Sequence, residues 1–98
     1  MKIDILREKL FDYLLEIPKG KVITYQKLGD IFEVHPRKIW KIVKRNENTH
    51  LFPCYKVLET QDKIGFYNGT GGIPGKVQKI KDDGIEIIKG KIDVQYFI

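Results

Sequence analysis

Leu6, Leu10 and Leu14 recur every four positions, and Ile3, Phe11 and Leu15 widen the stripe they make. That spacing predicts an amphipathic helix over 3–17, with Lys2, Arg7, Glu8, Lys9, Asp12 and Glu16 on its wet side. Pro18 and Gly20 end it. Lys21-Val22-Ile23 reads as a short extended link. Thr24 is placed to cap a second helix from Tyr25 to Glu33, with Leu28, Ile31 and Phe32 facing inward. Val34-His35 is a tight break, with His35 as its cap. Pro36 then suits the first position of a third helix running to Arg45. Ile39, Ile42 and Val43 form its apolar stripe, Trp40 lies at the edge of the core, and bases fill much of the rest. Two short helices, a tight turn and a basic second helix make a helix-turn-helix pattern.

Further on, Asn46 to His50 is a polar loop, and Leu51 to Leu58 is an apolar run holding Cys54, the one cysteine. Glu59 to Lys63 reads as a turn, with a partner strand over Ile64 to Tyr67. The glycine-rich loop from Asn68 to Gly75 is not a phosphate-binding loop, since no Gly-Lys-Ser/Thr opens the next helix. That helix is expected over Lys76 to Asp82, with Val77 and Ile80 inward and Gly84 as its stop. Ile85 to Ile98 alternates around Lys89-Gly90-Lys91 as a terminal hairpin.

Composition narrows the class. A chain of 98 residues with 42% hydrophobic and 32% charged residues fits one globular domain. No apolar run approaches the ~20 residues of a membrane span, and the N-terminus carries charges where a signal peptide needs an apolar stretch. A lone cysteine forbids an internal disulfide and points to a reducing compartment, cytoplasmic or nuclear. One Cys and two His are a poor zinc set, so no metal is expected. The net charge of +5 is local. Arg37, Lys38, Lys41, Lys44, Arg45 and Lys56 face one acid, Glu47, between His35 and Lys56, while the remaining 12 bases and 12 acids cancel. A concentrated basic stretch in a neutral body marks a polyanion partner.

Several short motifs then fall into one order. Pro53-Cys54-Tyr55-Lys56-Val57 resembles the Pro-Cys-His-Arg-Val signature of O6-alkylguanine-DNA alkyltransferases. Pro18-Lys19-Gly20-Lys21-Val22-Ile23-Thr24-Tyr25 is similar to the family's Pro-x-Gly-x-Val-x-x-Tyr, which leads into its helix-turn-helix. Arg37 lies 17 residues before the cysteine, where the family keeps an intercalating arginine, and Asn46 lies eight before it, where the family has a structural asparagine. Gly65-Phe66-Tyr67-Asn68-Gly69 resembles its Gly-x-Tyr-x-Gly loop, and Lys76 and Asp83-Gly84 resemble its Lys and Glu-Gly. The resemblance covers residues 11–86 and corresponds to the C-terminal half of longer family members, so a single domain over 1–98 is expected, without their N-terminal domain.

The resemblance implies an α+β fold: a small winged-helix-like domain, helix-turn-helix with short strands and a C-terminal hairpin. It implies direct reversal of damage, in which a cysteine thiolate takes the alkyl group from O6 of guanine and keeps it, with no cofactor. The partner is double-stranded DNA containing O6-alkylguanine, bound through the minor groove by a monomer that turns the base out of the stack. On this mapping Cys54 is the nucleophile, with Tyr55, Asp83 and Asn46 around it. Tyr25, Arg37, Lys38, Lys41, Lys44 and Arg45 meet DNA. Val57 (through its carbonyl), Tyr67 and Asn68 line the base pocket. Two departures concern the chemistry. Tyr55 replaces the family's histidine, and a phenol with an ordinary pKa of ~10 is a poor base. Asp83 replaces a glutamate and is one methylene shorter. Two other readings compete: an alkyltransferase-like module that binds the lesion without reacting and recruits repair factors, and a winged-helix transcription regulator sharing only the helix-turn-helix and basic face.

Overall fold

The computed structural model describes residues 2–48, 51–65, 67, 69 and 71–98. Helix α1 spans Ile3–Glu16 and buries Leu6, Leu10, Phe11 and Leu14. Ile3 and Leu15, expected on the same face, are exposed. The rest of the chain covers only one side of α1, so its buried arc is narrower than its apolar one. Each fully buried leucine contributes about 1.5–3 kcal/mol, and truncating Leu10 to alanine costs about 2–5 kcal/mol.

Strand β1 (Ile23–Thr24) leads into α2 (Tyr25–Phe32), whose N-terminus is capped by Thr24: its hydroxyl accepts from the Lys27 N–H at 3.1 Å. Leu28 is buried as expected, but Ile31 points to solvent and Tyr25 and Gly29 face the core instead. The turn to α3 (Pro36–Val43) is tight. Glu33 adopts a left-handed conformation, and a β-carbon on Gly29 would sit 2.7 Å from the Val34 carbonyl oxygen. Only glycine lets the two helices approach this closely. The His35 Nδ1 accepts from the Arg37 N–H at 3.0 Å and caps α3, which buries Ile39, Ile42 and Val43 and leaves its bases outside.

The apolar run after α3 forms a 3-10 turn over Cys54–Lys56 and then β2 (Val57–Leu58). The partner of β2 is β1, in parallel, with Ile23 opposite Val57 and Thr24 opposite Leu58. The strand expected over 64–67 does not form at its described residues, and the chain there turns through a Thr60–Lys63 bridge. Helix α4 begins earlier than expected, spanning Gly72–Asp82. Strands β3 (Ile87–Ile88) and β4 (Lys91–Ile92) make the terminal hairpin. Phe97 then bridges back to Val22, with the Ile98 N–H donating to the Val22 carbonyl at 2.9 Å.

Two cores result. The larger joins α1, α2 and α3 and includes Tyr25, Cys54, Val57 and Tyr67, while the smaller holds Val22, Leu58, Ile80, Ile85 and Ile92 under the hairpin. Cys54 thus sits on a short segment clamped between the helix-turn-helix and α4. No described helix is long and apolar enough to cross a membrane.

Candidate active site and nucleic-acid interface

The turn that presents Cys54 is built by Pro53. Its backbone angles (φ −78°, ψ 67°) are those of an inverse γ-turn, closed by the Cys54 N–H donating to the Phe52 carbonyl at 2.8 Å. That carbonyl also accepts from the Asn46 Nδ2 at 3.0 Å, and the Asn46 Oδ1 accepts from the Asn48 N–H at 2.9 Å. Asn46 is buried at the end of α3 and ties that helix to the cysteine turn. Phe52 stacks on Phe11 with ring centroids 4.7 Å apart, fixing the same turn to α1. Cys54 is itself buried, and this burial pushes its thiol above the ordinary value. A hydrogen bond from Asn46 and the charges of Lys76 and Lys79 act in the opposite direction without overcoming it.

Tyr55 is held from the far side. Its hydroxyl donates to the Asp83 Oδ1 at 3.0 Å, so the shorter carboxylate at the end of α4 does reach position 55. The other oxygen of Asp83 pairs with the Lys56 Nζ at 3.5 Å and accepts from the Gly20 N–H at 3.4 Å. Lys56 donates further to the carbonyls of Ile17 (3.0 Å) and Pro18 (3.1 Å). The Ile17 carbonyl belongs to the C-cap of α1, and the Pro18 carbonyl just beyond it also accepts from the Lys21 N–H at 3.2 Å. Lys56 is therefore an interior residue, and the basic stretch reaches the surface without it. Burial, and then the bond to Asp83, push the Tyr55 hydroxyl well above its ordinary range, so it stays a neutral donor.

Lys76 is fully buried and donates to the carbonyls of Val57 (2.6 Å) and Ile64 (2.7 Å). Burial pulls its pKa down to about 8, with Cys54 and Glu59 opposing. The Val57 carbonyl, expected to receive the guanine amine, already receives an ammonium and has only its second lone pair to offer. Tyr67 is buried in the same core as Cys54. Asn68 and the loop residue His50 lie outside the described residues.

Tyr25 opens α2 and is buried rather than displayed. Its hydroxyl has no hydrogen-bond partner among the described residues, and burial pushes it well above its ordinary range, with Cys54 and Glu59 adding to the shift. On the surface, Arg37, Lys41, Lys44 and Arg45 are exposed along α3 and Lys38 is half-buried. The Lys44 ammonium lies 4.4 Å from the Trp40 ring centroid. Arg37 and Lys41 line a shallow cleft with Tyr25, Pro36, Trp40 and Glu59. Lys41 and Arg45 line a second one with Ile3, Asp4, Arg7 and Ile42 of α1 and α3. Sequence reasoning passed over Arg7 and Glu59, whose positions depend on how α1 and the β2 turn pack against α3. It also passed over Lys79, whose ammonium lies 5.8 Å from the Tyr55 ring centroid, because a lysine on an exposed helix carries no local signal.

Residues 6–85 match the family model described as 6-O-methylguanine DNA methyltransferase, DNA binding domain. A bifunctional methyltransferase/endonuclease from Picrophilus torridus is 36% identical over 92 residues, covering 90% of this chain and 30% of that protein. A methylated-DNA–protein-cysteine methyltransferase from Pyrobaculum aerophilum is 31% identical over 84 residues, covering 86% of this chain and 55% of the relative. The chain thus spans about half the length, or less, of these curated relatives. Among solved structures, the O6-methylguanine-DNA methyltransferase of Pyrococcus kodakaraensis superimposes with a TM-score of 0.72 at 30% identity, over 81% of this chain and 46% of that one. Atl1 of S. pombe, solved with damaged DNA containing O6-carboxymethylguanine, shares the fold with a TM-score of 0.84 at 23% identity, over 100% of this chain and 98% of its own.

Proposed function

Since the chain belongs to the family of 6-O-methylguanine DNA methyltransferase DNA-binding domains, we propose that it binds duplex DNA carrying O6-alkylguanine and transfers the alkyl group irreversibly to Cys54. The α3 face of Arg37, Lys38, Lys41, Lys44 and Arg45 meets the minor groove, and Arg37 fills the gap left by the extruded base. Sγ of the Cys54 thiolate attacks the alkyl carbon. The S–C bond forms as the O6–C bond breaks, the electron pair stays with the guanine, and the thiol proton ends on the base.

The observation that carries this reading is the setting of Cys54. It lies on a turn braced by Asn46 and Phe52, within the electrostatic reach of Lys76 and Lys79, beside a tyrosine whose hydroxyl is committed to Asp83. A cysteine serving only to fill the core needs none of these cations. Because the Tyr55 proton points at Asp83, its oxygen lone pairs are left to accept from a water. Tyr55 thus does not act as a strong base.

A second reading, lesion binding without transfer, is favoured by one observation: burial raises the Cys54 pKa and so limits the thiolate at neutral pH. Intact-mass measurement after incubation with an O6-methylguanine duplex separates the two. Transfer adds one methylene, about 14 Da, to Cys54. Tight binding to the damaged duplex with no added mass at pH 9 would establish the second reading.

A further inference from the structure

Glu59 follows β2 directly and is the one acid lining the shallow cleft that also holds Tyr25, Pro36, Arg37, Trp40 and Lys41. Its side chain is 34% exposed, and its Oε2 meets the Lys63 Nζ at 3.0 Å, but Lys63 is 71% exposed. A pair with so wet a partner contributes little and rearranges easily. The place itself is shaped for the carboxylate. Gly65 has φ +80°, and a β-carbon there would stand 2.8 Å from the Glu59 Cγ and 3.4 Å from its Oε1. A glycine in this left-handed conformation leaves room for the carboxylate beside the cationic edge of α3. Glu59 lines this cleft together with Tyr25, and Tyr25 belongs to the same buried core as Cys54.

An acid on a face that binds a polyanion lowers affinity for every DNA sequence, through repulsion of the phosphates. The minor groove offers one kind of group that reverses this. Every base pair shows acceptors there, adenine N3 or thymine O2 and their counterparts, and only G·C adds a donor, the guanine N2 amine. An ionised carboxylate only accepts. It is therefore opposed by A·T edges and matched by guanine. We propose that Glu59 is a specificity-determining residue that accepts from the exocyclic amine of a guanine neighbouring the lesion, so that the protein favours O6-alkylguanine flanked by G·C pairs. The proposal rests on the minor-groove mode given above and adds a sequence preference to it.

The test uses the full chain carrying Cys54→Ala, so that binding is reversible, and O6-methylguanine duplexes whose neighbouring guanines are replaced one at a time by hypoxanthine. That exchange deletes the N2 amine and leaves the O6 and N7 edges intact. Affinities come from fluorescence anisotropy at fixed salt. One hypoxanthine position is expected to weaken binding about tenfold. Adding Glu59→Ala should bring that ratio close to one, chiefly by tightening binding to the hypoxanthine duplexes, where the carboxylate meets only acceptors. Glu59→Gln, which keeps an acceptor but loses the charge, should fall between, and Lys63→Ala should keep the full ratio. A native ratio near one at every neighbouring position overturns the proposal, as does a ratio that survives Glu59→Ala. Failure of the underlying reading looks different: the protein would then show no preference for O6-methylguanine over guanine in any context. A Glu59-dependent guanine preference on undamaged duplex would still stand.

Discussion

Asp83→Asn removes one charge while keeping an acceptor for Tyr55, so it isolates what the carboxylate does for Lys56. The two side chains are 6% and 13% exposed, and their charged atoms are 3.5 Å apart. Removing one partner of a buried pair costs about 3–5 kcal/mol, because the remaining charge is left buried without compensation. Here the Lys56 ammonium keeps the Ile17 and Pro18 carbonyls at 3.0 and 3.1 Å, which places the cost at the lower end, near 3 kcal/mol. For a domain of 98 residues that corresponds to a fall in Tm of about 15 °C. Thermal unfolding followed by circular dichroism at pH 7 measures it, with Lys56→Met and the double variant completing a cycle. The double variant should recover much of the loss, because it buries no unpaired charge, giving a coupling of about 2 kcal/mol. A fall of less than about 3 °C for Asp83→Asn would show that the pair is solvated and that the staple between α4 and the cysteine turn is not electrostatic.

Four further outcomes bear on the site. Cys54→Ala should abolish the mass increase while changing DNA affinity less than about twofold, since affinity comes from the α3 face and not from the thiol; anisotropy and intact mass on the same sample check both. Arg37→Ala should reduce repair more than binding, whereas Lys41→Ala should weaken damaged and undamaged duplexes alike and lower the salt slope by up to about one unit. Equal effects of the two variants would make Arg37 another phosphate contact. Single-turnover transfer by the native chain should rise between pH 6 and 9, because a thiol raised by burial gains thiolate only as pH approaches its elevated pKa. Tyr55→His combined with Asp83→Glu should raise the rate near pH 7 by about tenfold or more, as an oriented imidazole supplies a base that titrates there. A flat native profile matching the double variant would mean that Cys54 is activated by another group.

The α3 helix was legible because three independent signals coincide on it: Pro36 at its first position, an apolar stripe at Ile39, Ile42 and Val43, and bases elsewhere. All three reflect local backbone and periodicity rules. The β1–β2 pairing was not legible, since strands of two residues have no period and their partners are distant in the chain. The start of α4 was hidden because Gly72, Pro74 and Gly75 read as loop, whereas proline in a first turn forfeits no helical hydrogen bond. Lys56 was legible as a charge but not as a place. What draws it inward is the pair of carbonyls just past the end of α1, together with a carboxylate delivered by α4.

The same packing joins Tyr55 and Asp83, the two departures from the family motif. A phenol carries its polar atom farther from the backbone than an imidazole does, and an aspartate stops one methylene short of a glutamate. Their reaches add to a closed hydrogen bond of 3.0 Å between Tyr55 and Asp83. Together they link the end of α4 to the turn that carries Cys54 through a hydroxyl that stays neutral. On the proposed transfer reaction, a neutral hydroxyl at position 55 offers no base that titrates near pH 7, so the pH dependence of the native chain should follow the Cys54 thiol alone. A native rate profile with a second inflection near neutrality would refute this.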